Sequence, residues 1–352
     1  MIKNFWQSLP QPFVGLAPMD GITDEVFRFL QSQIAKPDLI FTEFVSAEGI
    51  SHGAVKLFDT LLFSKEERPI IAQLFGKDPE SFYKSTIILC HLGFDGVDIN
   101  MGCPAKTVVR HGSGAHLISQ PDLAIKIIQS VRQGIDDYFN KKVTLKDLKL
   151  KKKTLAVIKR NQKYSQLKSE DLKKKPTLSV KTRLGTDKNI IKDWAKLLLK
   201  EDLDFLTIHG RTLKQAYTGQ ADWSAIDQVV KIAKKMKVKT KIFGNGDIQS
   251  RKQALKYCQK YKVDGVLIAR AASGNPWLFI DHQATNKERF SAMLNHAQLF
   301  EKIFPHRRFD SLRKHFLFYT SNFPRAKSIR KKLVRLNSVN ELLELEDDFL
   351  NC

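Results

Sequence analysis

The stretch Val97-Asp98-Ile99-Asn100-Met101-Gly102-Cys103-Pro104-Ala105-Lys106 shows how this chain is built. Its apolar residues are typical of a buried strand, and the glycine and proline on either side of Cys103 force a turn directly after that strand. The turn projects the Cys103 thiol from a loop at the strand end. A free cysteine is more often a buried packing residue, so its interpretation depends on the rest of the chain.

Short apolar runs of this kind recur, separated by stretches with helical periodicity. They predict eight strands, at 13–17, 39–45, 69–75, 96–100, 178–183, 205–209, 241–244 and 263–269. Strands this short and apolar are typical of parallel strands covered on both faces. Eight strand–helix units over about 270 residues predict a TIM barrel. The alternative is a doubly wound sheet, which is disfavoured because no Gly-x-Gly-x-x-Gly follows the first strand.

The chain beyond the eighth strand has helical spacing only. We therefore predict a barrel over residues 1–281, followed by a small C-terminal all-helical domain over 282–352. A basic insertion at about 136–176 separates the fourth helix from the fifth strand, and its composition predicts one or two basic helices. Helix-to-strand connections lie on the face of a barrel away from catalysis, so we expect the insertion there.

The positive charge of the chain is concentrated in two places. Of the net charge of +22, residues 141–176 contribute 14 basic and 3 acidic residues, and residues 302–335 contribute 11 and 1. Clustered positive charge indicates a polyanion partner. A solvated lysine-rich surface is the alternative for 141–176. In 302–335 the basic residues alternate with aromatic ones, which favours RNA.

Other features exclude whole classes of protein. The cysteines at 90, 103, 258 and 352 are far apart and form no Cys-x-x-Cys pair, so we predict neither a metal site nor a disulfide framework. No apolar run approaches the ~20 residues that span a bilayer, and the N-terminal residues lack the features of a signal peptide. We expect a cytoplasmic protein without membrane association, and a monomer by default.

Active-site groups of a barrel come from the C-terminal ends of its strands. Here those ends carry a thiol, cations and amides, without the carboxylate pair of metal or glycosidic chemistry. The loops at 244–247 and 269–274 follow strands seven and eight, where barrels often bind phosphate; ordinary turns are the alternative. Lys181 and His209 extend from neighbouring strand ends, where a cation stabilises electron density on a bound ring.

These stretches resemble the tRNA-dihydrouridine synthases, flavin enzymes that reduce uridine in tRNA. The most specific are residues 98–106, around Cys103, and the segment from His209 to Trp223. Residues 17–24, 73–76, 109–115, 180–185, 244–247 and 269–270 complete the barrel set. In the tail, the residues that resemble the helical tRNA-binding domain of the family are Arg313, Lys314, His315, Tyr319, Pro324 and Arg330. The resemblance covers nearly the whole chain except 136–176.

The resemblance implies FMN as cofactor, NADPH or NADH as reductant, and tRNA as substrate. It places the flavin contacts on Pro18, Met19, Gln73, Lys181, His209, Asn245, Gly246, Asp247, Ala269 and Arg270. It places the target uridine among Asn100, Lys106, Arg183 and Arg211, and further tRNA contacts on Arg313, Lys314 and Arg330. Two departures are Asp20, where the family usually has a small residue, and Ala269, where it usually has glycine.

The resemblance also implies that Cys103 is the proton donor of the reaction. An unperturbed thiol has a pKa of ~8.5, so it is mostly protonated at neutral pH and can act as an acid. Two other functions stay open. A flavin barrel acting on a free pyrimidine-like molecule leaves the two basic stretches unexplained. A non-catalytic RNA-binding barrel leaves Cys103, Lys181 and residues 245–247 unexplained.

Overall fold

The computed structural model describes residues 11–321 and 326–350. Eight parallel strands follow one another in sequence order around a closed barrel, in which the eighth pairs with the first. The strands are β1 (Phe13–Leu16), β2 (Ile40–Ser46), β3 (Ile70–Phe75), β4 (Gly96–Met101), β5 (Thr177–Arg183), β6 (Phe205–His209), β7 (Lys241–Asn245) and β8 (Gly265–Ile268). The predicted TIM barrel is confirmed.

The helices fall into two groups. Around the barrel lie α1 (Glu25–Ile34), α2 (Ala47–Ser51), α3 (Pro79–Leu92), α4 (Lys106–Arg110), α5 (Pro121–Phe139), α6 (Lys152–Ser165), α7 (Ile191–Leu199), α8 (Trp223–Met236) and α9 (Arg251–Tyr261). After the barrel come α10 (Asn286–Ile303), α11 (Arg313–Tyr319), α12 (Ala326–Leu333), α13 (Val339–Leu343) and α14 (Glu346–Leu350). Pro324, which resembles a family position, lies outside the described residues. Within the described ranges, no helix is both long and apolar enough to cross a membrane.

Local sequence signals fix the ends of the helices that follow the strands. The Asp24 carboxylate accepts a hydrogen bond from the backbone N–H of Phe27 at 3.0 Å and so caps α1. Asp78 caps α3 in the same way, and that helix ends at Gly93, whose φ of 87° is left-handed. Firmly capped helices hold the loops at the strand ends in place.

A second apolar core joins the helices α10 to α14, the helical region, to the barrel. Val26 and Leu30 of α1 are buried against residues of α10 and α11, among them Met293 and Phe316. The amide nitrogen of Gln31, also on α1, donates to the backbone oxygen of Pro276 at 2.6 Å. The helical region is therefore seated on α1, the helix that begins directly after the loop following β1.

The basic insertion spans the barrel from end to end, so our expectation that it lies on the face away from catalysis is right for only part of it. Asp171 Oδ1 lies 2.8 Å from Nη1 of Arg68, directly before β3, and Gln162 Nε2 donates to the backbone oxygen of His91 at 2.9 Å near the end of α3, both on the expected face. The insertion's helix α6 packs beside the connection from β2 to β3, where α2 is only five residues long. Thr154 Oγ1 donates to the backbone oxygen of Gly53 at 3.1 Å, in the connection that follows α2. Tyr164 Oη donates to Glu25 Oε1 at 2.6 Å, in the first turn of α1. The reason is an amphipathic helix whose apolar face finds cover along this side of the barrel.

Candidate active site

A cavity of about 630 Å³ lies at the C-terminal ends of the strands, a size typical of small-molecule sites. Its wall is formed by residues of strands β2 to β8 and by the loops that follow β1, β4, β6, β7 and β8. The predicted site residues in that wall are Pro18, Met19, Gln73, Asn100, Cys103, Lys181, Arg183, His209, Asn245, Gly246, Asp247, Ala269 and Arg270. The structure thus brings together all of the residues predicted to contact a flavin, together with Cys103.

The side chain of Asn100 holds the Cys103 loop. Its oxygen accepts hydrogen bonds from the backbone N–H of Gly102 at 3.0 Å and of Cys103 at 2.8 Å. Its nitrogen donates to Gln73 Oε1 at 2.9 Å, and Gln73 donates in turn to Asp98 Oδ2 at 2.6 Å. Asn100, predicted to lie around the substrate, lines the cavity with its polar atoms engaged in fixing this loop.

The Cys103 thiol is held in its protonated form. Burial raises its pKa; the backbone N–H of Ala105 lowers the pKa, and the carboxylate of Asp20 raises it again. The nearby Arg183 opposes the rise in pKa without cancelling it. A thiol with a raised pKa suits a proton donor, whereas a cysteine nucleophile needs a lowered pKa. Asp20, one of the two residues that depart from the family pattern, lines the same cavity.

Lys181 presents a cation to the cavity. Burial and the neighbouring Arg183 lower its pKa to about 8, against the attraction of the Asp98 carboxylate, so the amine is still mostly protonated at neutral pH. Among the described residues, its Nζ forms no hydrogen bond or ion pair. Burial and the cations around it, Lys181 first among them, lower the pKa of His209 to about 2, so this imidazole is neutral. The Lys181 side chain is half-buried and its ammonium faces the cavity without a protein partner, so an electron-rich ligand would supply that partner.

The loops after β7 and β8 meet at Asp247. Its Oδ2 accepts from Arg211 Nη2 at 2.7 Å and from the backbone N–H of Ala221 at 2.8 Å, and its Oδ1 accepts from Arg270 Nη2 at 3.2 Å. Gly246 has a φ of 130°, and a Cβ there would lie 2.6 Å from Ala221 Cβ, so only glycine fits. The Arg270 side chain is 58% exposed, which leaves its guanidinium open to an anionic group.

Three predicted arginines lie outside the cavity wall and hold the protein's own backbone. Arg211 is buried and donates to the backbone oxygens of Thr218 at 3.1 Å and Gly219 at 2.5 Å, besides its contact with Asp247. Arg330 donates twice to Thr320, at 2.9 and 3.0 Å. Arg313 reaches Leu336 and Asn337 across the helical region. These three side chains therefore hold loops and helices of the protein in position.

Two predicted lysines, Lys106 and Lys314, are also outside the wall but exposed. Lys106 begins α4, three residues after Cys103. Lys314 comes from α11 in the helical region, and its Nζ lies 3.0 Å from the place that a Cβ on Gly21 would occupy. The helical region therefore brings a cation to the loop between β1 and α1, part of which lines the cavity.

Tyr217 is a site residue that the sequence motifs do not predict. Its ring is 56% exposed and lines the cavity, with the guanidinium carbons of Arg183 and Arg270 at 5.7 and 5.2 Å from the ring centroid. Those distances correspond to cation–π contacts. The signal available in the sequence is a single aromatic residue in the polar segment between Arg211 and Trp223. An exposed aromatic ring in the cavity wall can stack on a nucleobase.

Across residues 11–321 and 326–350, no group of three or more histidine, cysteine, aspartate or glutamate side chains is arranged to hold a metal ion. The cavity instead combines one thiol acid, one ammonium, an exposed guanidinium and an aromatic face. Such a set suits a planar, electron-rich cofactor that carries an anionic tail, with room for a second planar ring.

Comparisons with known proteins agree with this chemistry. The family profile described as "Dihydrouridine synthase (Dus)" matches residues 15–164 and 170–351. The match includes most of residues 136–176, which the sequence motifs had left out. The "Probable tRNA-dihydrouridine synthase" of Staphylococcus aureus (strain COL) is 35% identical, over 99% of this chain and 96% of its own length. The "Probable tRNA-dihydrouridine synthase 2" of Bacillus subtilis (strain 168) is 33% identical, over 99% and 97%.

Among solved structures, an old yellow enzyme homologue from Zymomonas mobilis matches 77% of this chain and 89% of its own, with a TM-score of 0.45 and 13% sequence identity.

Proposed function

The chain belongs to the dihydrouridine synthase family of flavin-dependent oxidoreductases, and on that premise we propose that it reduces the C5=C6 bond of one uridine in tRNA to 5,6-dihydrouridine. We propose FMN as the flavin and NADPH or NADH as the reductant. The observation that carries the proposal is one cavity that joins the protonated Cys103 thiol to the unpartnered Lys181 ammonium.

The residues of the cavity fit a flavin mononucleotide. Lys181 would face the electron-rich part of the ring, because its charge has no protein partner. Arg270 and the backbone around Gly246 would hold the phosphate, since glycine allows close approach and the guanidinium is exposed. When bound there, FMN would supply the chemistry of hydride transfer from the nicotinamide to C6 of the uracil.

Cys103 Sγ supplies the proton to C5 in this proposal. Its raised pKa keeps the proton on sulfur until C5 becomes basic. Asn100 holds the loop, so the thiol is positioned before the substrate arrives. The thiolate left behind is stabilised by Lys181 and Arg183, which both lower the pKa of Cys103, and it regains a proton from solvent.

The target base lies inside a folded tRNA and must leave its stack to enter the cavity. We propose that Tyr217 stacks on the exposed base, with Arg183 behind the ring. Lys106 and Lys314 would contact nearby phosphates, because both are exposed. The hydrogen bonds of Arg211 to backbone oxygens favour a role in holding the loop after β6.

The test is to incubate unmodified tRNA with the protein, FMN and NADPH, then to map digested fragments by mass spectrometry. We expect a gain of two hydrogens at one uridine. NADPH oxidation with a free pyrimidine but no gain in tRNA would contradict the proposal and support a small-molecule reductase. A purified protein that binds no flavin and changes no tRNA would support an RNA-binding barrel without catalysis.

A further inference from the structure

We infer that the exposed face of α6 is a second tRNA-binding surface, which contacts phosphates of the same tRNA whose uridine enters the cavity. The inference rests on the proposed function and deepens it. It concerns the basic insertion, to which the sequence motifs gave no role. Three observations carry it: how α6 is anchored, where its charges lie, and what lies beside it.

The first observation is that α6 is a fixed part of the barrel. Its buried face includes Ile158, which is 1% exposed, and Asn161, which is 3% exposed. Asn161 Nδ2 donates to the backbone oxygen of Phe58 at 2.7 Å, and Thr154 and Tyr164 add the hydrogen bonds described above. The opposite face is therefore held at a defined position relative to the cavity, unlike the charges of a loose tail.

The second observation is the position of the lysines. The exposed cations of α6 and its N-cap are Lys151, Lys152, Lys153, Lys159, Arg160 and Lys163. Within the described residues, none of these five lysines forms an ion pair. Three of them stand at the N-terminus of the helix, where the backbone dipole disfavours positive charge, and the first turn holds no acidic residue. Helix stability therefore does not account for this cluster, whereas a polyanion partner does.

The third observation is that α6 is joined to the other basic stretch. Asp59 Oδ1 accepts from Arg160 Nη2 at 2.8 Å, while its Oδ2 lies 2.8 Å from His306 Nε2 and 3.8 Å from Arg307 Nη2. One carboxylate thus lies between cations from residues 141–176 and from residues 302–335. The two stretches that hold most of the net charge therefore meet at Asp59 on this side of the molecule.

The exposed, unpaired lysines of α6, next to a second basic stretch, fit a nucleic acid backbone, which presents one charge at each nucleotide. The tRNA that delivers a base to the cavity extends beyond the mouth, and the Tyr164 side chain of α6 reaches the same end of the barrel at Glu25, in the first turn of α1. We infer that α6 adds affinity through phosphate contacts and takes no part in the chemistry, because none of its residues lines the cavity.

The experiment compares two variants with equal changes in charge. The test variant replaces Lys152, Lys153, Lys159 and Lys163 of α6 by glutamine. In the control variant, four other exposed lysines are also replaced by glutamine. They are Lys234 and Lys235 of α8, which follows β6, and Lys252 and Lys256 of α9, which follows β7. Point changes are preferred to a deletion, because removing α6 would expose the surface that Ile158 covers.

Binding of unmodified tRNA is measured at several salt concentrations, together with single-turnover uridine reduction at saturating protein. We expect the test variant to bind ~10-fold more weakly near physiological salt, with a salt slope smaller by ~1 for each lysine that contacts a phosphate. Its limiting rate should equal that of the wild type, and the control variant should bind within about twofold of the wild type.

A test variant with wild-type affinity and salt slope would overturn the inference and leave α6 as a solvated surface. Equal weakening in both variants would also overturn it, because the effect would then follow net charge alone. Both outcomes require that the wild-type protein binds tRNA and reduces its uridine. Failure of the wild type itself would instead contradict the proposed function.

Discussion

The cations of the cavity and those of α6 are held in opposite ways. Lys181 and Arg183 are surrounded by protein, and burial lowers their pKa values to about 8 and about 10. Lys152 and Lys153 are exposed on the first turn of α6. Salt screens exposed charges and hardly affects buried ones. In our proposals, the buried cations set the state of the Cys103 thiol and of the bound ring, whereas the exposed lysines hold the phosphates of the tRNA.

The largest expected effect tests the buried side of this comparison. Replacing Cys103 by alanine removes the proposed proton donor, and we expect uridine reduction to fall by ~10²–10⁴-fold. Flavin binding and reduction of the flavin by nicotinamide should persist, because the thiol contributes to neither. Mass spectrometry of tRNA and the flavin absorbance measure the two parts separately.

The matched control is Cys258→Ala, a buried cysteine on α9 that does not line the cavity. It should reduce uridine at the wild-type rate. Equal turnover by the Cys103→Ala and Cys258→Ala variants would show that another group donates the proton.

The next effect concerns Lys181. Replacing it by methionine keeps its bulk and removes its charge, and we expect FMN to bind ~10–100-fold more weakly near neutral pH, as for the loss of a hydrogen bond to a charged group. The pKa of about 8 means that the amine of the flavin-free protein is charged below that pH and neutral above it. Wild-type affinity for FMN should therefore fall as the pH rises through about 8.

Fluorescence titration of FMN at a series of pH values measures both effects. The Lys181→Met variant should lack the fall in affinity near pH 8, because it has no amine to lose its proton. A variant that keeps the wild-type pH profile would assign that profile to another group.

The smallest effect concerns the carboxylate that lies between the two basic stretches. Asp59→Asn removes the charge between Arg160 and His306, and we expect the free energy of unfolding to fall by ~1 kcal/mol, since the Asp59 side chain is only 11% exposed. Urea denaturation measures this change. Asp193→Asn is the control, because Asp193 is 85% exposed in its pair with Lys196 and should have almost no effect. Equal losses of unfolding free energy in both variants would show that the Asp59 carboxylate makes no specific contribution to the contact between the two basic stretches.

The sequence could predict most of what the barrel needs. Apolar runs locate the strands, and the residue that follows each run, such as Cys103 or Asn245, must lie at the catalytic end because all the strands are parallel. The sequence could not predict which hydrogen bonds those side chains make. Arg183 donates to the backbone oxygens of Gly102 and Ala216, and neither contact follows from the position of Arg183 on a strand.

The sequence could not predict where α6 packs, for a related reason. Periodicity predicts a helix with one apolar face, but the partners of that face, Gly53 and Phe58, lie about 100 residues earlier in the chain. Only the closed barrel brings them beside α6. The rule that helix-to-strand connections lie away from catalysis holds for Asp171, which pairs with Arg68 directly before β3, but a connection this long also extends along the barrel wall as far as Glu25.

The most direct test of this division between buried and exposed charge is single-turnover uridine reduction in tRNA at salt concentrations from about 50 to 200 mM. The measurement gives two quantities: the protein concentration at half saturation and the limiting rate constant. We predict that the half-saturating concentration rises steeply with salt while the limiting rate constant stays constant. A limiting rate constant that falls with salt, at an unchanged half-saturating concentration, would contradict the account.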